Sequence, residues 1–206
     1  MTLRSGGCVA IEAGAPPEAG AGVDRARRAA RVLPGGRVTV ASPPMARRGV
    51  FPGSFDPLTV AHVAVADAAR RHHDLAEVHL VVSRVALAKE DQDQAPVEAR
   101  LSAIEAARAS RPWLRAAATE AQLLADIAEG YDVLVVGADK WWQLHDVRFY
   151  GTDAAMREAL ARLPQLAVAP RAGVTEPPGV ALLPVDPAHH EVSSTAVRAG
   201  RHDWRA

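Results

Sequence analysis

Two short stretches of the sequence carry side chains that suit phosphate chemistry. The first, G-S-F-D-P-L-T-V-A-H, runs from Gly53 to His62: a strand-like segment ends in glycine and turns at Asp-Pro into a predicted helix. The free N–H groups and partial positive charge of a helix start favour a phosphate group there. Thr59 and His62 are three residues apart, so a hydroxyl and an imidazole face the same side of the first turn. The alternative interpretation of Thr59 is a simple helix cap.

The second stretch is V-S-S-T-A-V-R, from Val192 to Arg198. Three consecutive hydroxyl side chains precede an arginine one turn later, and the planar guanidinium of arginine donates in pairs to phosphate oxygens. Serine and threonine before a helix are also ordinary N-caps. Together the two stretches predict two phosphate-binding elements, as in a phosphate-transfer reaction in which the protein positions and neutralises phosphates.

The order and separation of these stretches resemble the nucleotidyltransferase superfamily that carries an H-x-G-H signature near its amino end and an I-S-S-T-x-x-R signature near its carboxyl end. Here the signatures read T-V-A-H and V-S-S-T-A-V-R, and the resemblance covers about residues 47–201. It implies a doubly wound α/β domain with a parallel, Rossmann-like sheet. It also implies catalytic roles for His62, Thr59 and Arg198. The other nucleotide-binding residues that it implies here are Gly53, Ser54, Phe55, Ser193, Ser194 and Thr195.

A third segment favours the nicotinamide and nicotinate mononucleotide adenylyltransferases within this superfamily. V-V-G-A-D followed by W-W-Q-L resembles the G-x-D segment of that branch. The resemblance implies that Gly137 and Asp139 contact the adenosine part of ATP and that Trp141 stacks on the pyridine ring. The alternatives for the indole are core filling and an oligomer contact. Lys89 lies where the branch often places a phosphate-directed lysine, and only Lys140 is a second lysine in the chain.

The signatures depart from the family pattern at two positions. Thr59 stands in place of the first histidine, and Ala61 in place of the glycine. Phosphopantetheine adenylyltransferases carry a threonine at the same place, so Thr59 is compatible with catalysis. The sequence also ends eight residues after Arg198, without the carboxyl-terminal helix usual in the pyridine-nucleotide branch. These departures leave open which substrate accepts the nucleotidyl group.

The predicted elements alternate between strands and helices, which favours a parallel sheet with helices on both faces and ligands at the carboxyl ends of its strands. The predicted strands are residues 49–51, 77–83, 113–118, 132–136, 166–169 and 180–185. The predicted helices are residues 60–73, 96–110, 120–129, 152–163 and 193–199. Glu98 and Arg100 are expected to form a solvated ion pair.

The amino-acid composition excludes several classes of protein and of binding site. Of the 206 residues 49% are apolar and 23% charged, as in globular proteins. The 24 basic and 24 acidic residues give no overall charge to attract nucleic acid or a membrane, and Cys8, the single cysteine, excludes a multi-cysteine metal site. Residues 1–44 are rich in Gly and Pro, so we expect a flexible extension before a domain at 45–206. No signal-peptide pattern is visible, and we expect a cytoplasmic protein.

The combined expectation is an enzyme that transfers an adenylyl group from ATP to a nicotinamide or nicotinate mononucleotide and releases pyrophosphate. Mg²⁺ is expected as a cofactor carried by the nucleotide phosphates, with no metal ligands from the protein. The expected partners are ATP and a phosphorylated small molecule, with neither nucleic acid nor membrane; a homo-oligomer stays open. The alternatives are a phosphopantetheine adenylyltransferase, a cytidylyltransferase of the same superfamily, or a catalytically weakened nucleotide-binding protein.

Overall fold

A computed structural model describes residues 46–84 and 94–206. The sheet consists of β1 (Arg48–Pro52), β2 (Glu77–Ser83), β3 (Leu114–Thr119), β4 (Val133–Gly137) and β5 (Gln165–Ala169). The helices are α1 (Val60–His72), α2 (Val97–Arg108), α3 (Leu124–Ile127), α4 (Ala138–Leu144), α5 (Asp153–Ala161) and α6 (Ser194–Arg198). Three single 3₁₀ turns, at Val147–Phe149, Pro187–His189 and His202–Trp204, complete the elements of these ranges.

All five strands are parallel, in the order β3-β2-β1-β4-β5. The chain runs outward from β1 through β2 to β3, then returns to the other side of β1 for β4 and β5. Val50 of β1 therefore lies between His79 of β2 and Leu134 of β4. In such a sheet the loops after β1 and β4 leave the carboxyl edge in opposite directions and open a crevice between them. The predicted doubly wound α/β fold is confirmed.

Helices cover both faces of the sheet. On one face, Ala66 of α1 and Ile104 of α2 pack in a cluster with Leu80 of β2. On the other face, Ile127 of α3 packs in a cluster with Val81, the next residue of β2. Successive side chains of a strand point to opposite faces, so a strand that is buried on both faces must be apolar throughout its centre. The run L-V-V at residues 80–82 meets that requirement, and all three residues are buried.

Two sequence predictions about elements are wrong. The helix predicted at 120–129 is reduced to α3, because its first residues form a turn: Ser83 Oγ donates to the Ala121 carbonyl (3.1 Å) and the Ala121 N–H donates to Thr119 Oγ1 (3.1 Å). The strand predicted at 180–185 is only an isolated parallel bridge between Leu182 and Val168. Pro184 has no N–H to donate to a neighbouring strand, and a ladder cannot continue through it.

Two predictions concern residues that the structure does not describe: the flexible extension at residues 1–44 and the role of Lys89. Every helix in the two described ranges is too short or too polar to span a bilayer.

Candidate active site

The two phosphate-directed stretches meet at the carboxyl end of β1. We call residues 53–59, which join β1 to α1, the β1–α1 loop. Ser194 Oγ donates a hydrogen bond to the Pro57 carbonyl (2.9 Å), and Arg198 Nη1 donates to the Asp56 carbonyl. These contacts join segments 137 and 142 residues apart in the sequence. The structure thus brings the start of α1 and the start of α6 to one place.

His62 is oriented by reciprocal hydrogen bonds at the start of α1. The Thr59 backbone N–H donates to His62 Nδ1 (3.0 Å), and the His62 backbone N–H donates to Thr59 Oγ1 (3.4 Å). A ring nitrogen that accepts from an N–H carries no proton, so the proton of the neutral imidazole is on Nε2. The rings of Phe51 and Phe55 pack edge-on against it, with centroid distances of 6.2 and 5.0 Å. The imidazole is therefore held as a hydrogen-bond donor through Nε2.

Thr59 has no exposed surface, and its hydroxyl caps α1. Residues 205 and 206 pack against this threonine. Arg205 pairs with Thr59 in an antiparallel bridge, and the Ala206 N–H donates to the Leu58 carbonyl (3.1 Å). The helix-cap interpretation describes this geometry, and Thr59 influences the site by fixing His62.

Packing of Phe55 shapes the β1–α1 loop. Its side chain is buried (1% exposed) and its backbone lies in the left-handed region, with φ of +46°. A Cβ at Gly53 would come within 2.7 Å of the Phe55 ring, so this position requires glycine. The Phe55 side chain therefore belongs to the core. Gly53 and Ser54 lie at the surface of the loop and line a cleft beside it.

Arg100, on α2, donates a hydrogen bond to the β1–α1 loop. Its side chain is buried, and Nη1 donates both to the Ser54 carbonyl (3.0 Å) and to Gln94 Oε1 (3.1 Å). The expected solvated pair with Glu98 is wrong, because Glu98 is exposed and pairs with Arg84 instead (3.2 Å). Sequence reasoning named this residue and missed its burial and its contact with the loop. The available signal was its spacing of four residues from buried Ile104, which places both on one face of the helix.

Two of the hydroxyls that precede Arg198 have local roles. Ser193 caps α6 by accepting from the Ala196 N–H (3.2 Å), and Thr195 Oγ1 accepts from Arg198 Nη2 (3.4 Å). The Arg198 guanidinium lies 3.8 Å from the buried carboxylate of Asp56. Its side chain remains 42% exposed, so a ligand can reach it. The arrangement presents a positioned, accessible guanidinium beside the β1–α1 loop.

Gly137 and Asp139 lie where β4 passes into α4, next to the end of β1. Gly137 is the last residue of β4, and Asp139 is in the first turn of α4. The Asp139 side chain folds back across the end of the strand, above Gly137. Both residues are partly exposed at the carboxyl edge of the sheet. A carboxylate in this place can accept hydrogen bonds from the hydroxyls of a ribose.

The structure places the two tryptophans away from the cleft. Trp141 packs against the apolar cluster beneath α3 and α4, and its ring lies against that of His145, tilted by 33° at a centroid distance of 4.1 Å. Trp142 is more exposed, and its Nε1 donates to the Thr175 carbonyl (2.9 Å). Neither indole lines the cleft. The expectation that Trp141 stacks on a ligand ring is not supported by this position, which corresponds to core filling.

The cleft lies between the β1–α1 loop and α4. Apolar side chains of β2 and α3 form its floor, and Phe149 and Tyr150, on the turn after α4, form an aromatic wall. Lys140 is the one cationic side chain among its described lining residues, and no acidic side chain is among them. Burial raises the pKa of the Tyr150 phenol, so its hydroxyl is neutral. Sequence reasoning missed this aromatic pair, whose only signal was F-Y immediately before a glycine.

Comparison with known families gives a match over most of this domain. A family model described as cytidylyltransferase-like matches residues 50–200. The matched range includes the β1–α1 loop, the end of β4 and α6. A search of curated proteins found no match.

Proposed function

The chain belongs to the cytidylyltransferase-like family and is a nucleotidyltransferase. From that premise we propose that it transfers an adenylyl group from ATP to a nicotinamide or nicotinate mononucleotide and releases pyrophosphate. The observation that carries the proposal is the hydrogen-bonded contact between α6 and the β1–α1 loop, which brings Arg198 to the loop that leads into α1 and His62. Phe149, Tyr150 and Lys140, the residue that follows the G-A-D segment, line the cleft beside this loop.

In the proposed reaction an oxygen of the acceptor phosphate attacks the α-phosphorus of ATP. The new P–O bond forms as the bond from the α-phosphorus to the oxygen bridging to the β-phosphate breaks. Pyrophosphate leaves with that electron pair, and no covalent enzyme intermediate forms. His62 Nε2–H donates to a phosphate oxygen on which charge develops, which stabilises the transition state more than the ground state.

The triphosphate is proposed to lie between the β1–α1 loop and α6. Gly53 and Ser54 approach it from the loop, while Arg198, with Ser194 and Thr195 beside it on α6, holds its outer phosphates. A guanidinium that is exposed on one side and hydrogen-bonded on the other keeps its geometry and can still donate to phosphate oxygens. Positioning and charge neutralisation of this kind account for most of the catalysis in phosphoryl transfer.

Magnesium is proposed to arrive with the nucleotide. No group of three or more His, Cys, Asp or Glu side chains converges within residues 46–84 and 94–206, so this part of the chain offers no ready-made cage for a cation. Mg²⁺ commonly takes few protein ligands and binds through substrate phosphates and waters. The ion would supply neutralisation of phosphate charge, and the roles of the protein side chains above do not depend on it.

The cleft is proposed to receive the acceptor. Phe149 and Tyr150 offer flat faces to a pyridine ring, and Lys140 offers a positive charge to an anionic group of the mononucleotide. Asp139 is proposed to hold the ribose of the adenosine. Phe149 and Tyr150 are thus proposed to stack on the pyridine ring, the role expected of Trp141 from the sequence.

A pyrophosphate-release screen tests the proposal. The purified protein is incubated with ATP or CTP and one of four acceptors: nicotinate mononucleotide, nicotinamide mononucleotide, phosphopantetheine or glycerol phosphate. We expect release with ATP and a pyridine mononucleotide. Release with phosphopantetheine, or with CTP and glycerol phosphate, would contradict the proposed acceptor. Thermal stabilisation by ATP without release for any acceptor would identify a nucleotide-binding protein instead.

A further inference from the structure

Three carbonyl groups of the β1–α1 loop accept hydrogen bonds from three different side chains. The Ser54 carbonyl accepts from Arg100, the Asp56 carbonyl from Arg198, and the Pro57 carbonyl from Ser194. A carbonyl oxygen repels a phosphate oxygen, whereas a backbone N–H attracts it. Donors that hold these carbonyls in place thus decide which backbone groups of the loop face a ligand.

The hydrogen bond from Arg100 sets the direction of the next peptide N–H. The peptide unit is planar and trans, so the Ser54 carbonyl and the Phe55 N–H point to opposite sides. When the carbonyl points down to Arg100, the Phe55 N–H points away from it. Phe55 also has a left-handed backbone conformation, which is a component of anion-binding backbone turns. Arg100 therefore orients a backbone donor without lying in the cleft itself.

The environment of Arg100 combines burial of the side chain with neutral hydrogen-bond acceptors. The residue is 7% exposed, yet in the described parts of the chain no carboxylate lies within ion-pair distance of its guanidinium. Its acceptors are a carbonyl and a side-chain amide, both neutral. Its Nε is buried with no hydrogen-bond partner there. Among the described residues, the hydrogen bonds of this buried guanidinium therefore go to the β1–α1 loop and to Gln94 and not to a carboxylate.

We propose that Arg100 is a positioning residue for the nucleotide phosphates. It turns the Ser54 carbonyl away from the bound triphosphate and directs the Phe55 N–H towards it. The inference rests on the proposed function, in that the ligand is a nucleoside triphosphate. It adds a determinant of phosphate binding on α2, outside both signature stretches.

Calorimetric titration of ATP and of adenosine tests this role. The variants are Arg100→Met, which removes the donors at similar size, and Arg100→Lys, which keeps the charge. Arg108→Met is the matched control, because Arg108 is exposed on the same helix and pairs with Glu105 (3.2 Å). Adenosine lacks phosphates, so it reports any general damage to the nucleotide site.

We expect Arg100→Met to weaken ATP binding by about tenfold or more, the scale of a lost hydrogen bond to a charged group. Adenosine binding should stay close to that of the wild type, and Arg108→Met should change neither. Arg100→Lys should also weaken ATP binding, since an ammonium does not reproduce the guanidinium geometry. Unchanged ATP binding, or equal losses for ATP and adenosine, would overturn the proposal. Failure of both variants to fold would also overturn it and make Arg100 a stabilising residue.

The test separates this inference from the proposed function. If the wild-type protein binds no ATP, the proposed function itself fails. If the wild type binds and turns over ATP while Arg100→Met behaves like it, only the role of Arg100 fails.

Discussion

The carboxylate of Asp139 occupies the space that a side chain at Gly137 would need: a Cβ built on Gly137 lies 2.5 Å from Asp139 Oδ1. We therefore expect Gly137→Ala to displace the carboxylate and to weaken ATP binding about as much as Asp139→Ala does. A double-mutant cycle measured by ATP titration checks this relationship. The double variant should bind little worse than either single variant, because both changes remove the same contact. Additive losses would show that the two residues act independently.

His62→Ala should remove most of the turnover. The change deletes the Nε2 donor, and loss of one such donor typically lowers kcat by about 10²–10³-fold. It also removes the reciprocal hydrogen bond with Thr59, which lowers the free energy of unfolding by about 1 kcal/mol. Steady-state kinetics and thermal denaturation separate the two effects. His202→Ala, at an exposed position, is the control. Wild-type turnover in a folded His62→Ala variant would reduce His62 to a cap of α1.

Arg198→Lys should weaken binding of ATP although the charge is retained. A lysine cannot form the paired donor geometry, and a hydrogen bond to a charged group contributes about 1.5–3 kcal/mol. AMP has no outer phosphates, so its affinity should hardly change. Calorimetric titration of both nucleotides measures the difference. Equal losses for ATP and AMP would contradict a role in holding the outer phosphates.

Tyr150→Ala should raise the KM for the pyridine mononucleotide and leave the affinity for ATP unchanged. The phenol ring forms part of the aromatic wall of the cleft, and its removal leaves the acceptor ring without a stacking surface. Trp142→Ala is the matched control, because this exposed indole lies outside the cleft lining. If Trp142→Ala raised the KM for the acceptor more than Tyr150→Ala does, the pyridine ring would bind at Trp141 and Trp142 instead.

Glu77 should make the fold sensitive to acid. Its carboxylate accepts from His79 Nε2 (3.2 Å) and Arg115 Nη2 (2.6 Å), and these contacts, that of His79 most, lower its pKa below the ordinary 4.5. A pKa that is lower in the folded chain stabilises the fold above the unfolded value, and this contribution is lost as pH falls through the folded value. Urea unfolding at about pH 6 and about pH 3 should show a smaller loss of stability for Glu77→Gln than for wild type. Exposed Glu129→Gln should behave like wild type.

Local patterns predicted much of this fold. The bounds of β2 agree with the prediction because an apolar run ends at polar residues on both sides, and α1 begins directly after its predicted cap. Long-range contacts decide the features that local patterns missed. Arg100 is buried because the acceptor for it comes from Ser54, 46 residues away, and no pattern within α2 reveals that carbonyl. Trp141 and Phe149 are both aromatic and close in sequence, and only the path of the chain after α4 determines which one reaches the cleft.

The contact between α6 and the β1–α1 loop also sets the order in which the site can be built. Donors for the carbonyls of residues 56 and 57 are contributed by residues 198 and 194. During synthesis β1 and α1 leave the ribosome before α6. The β1–α1 loop therefore lacks these two hydrogen-bond donors until nearly the whole domain has been synthesised. Contacts of such large sequence separation form late in folding. A nascent chain that stops before α6 contains His62 and the cleft walls but lacks the α6 part of the proposed phosphate site, so we expect nucleotide binding only after synthesis has passed residue 198.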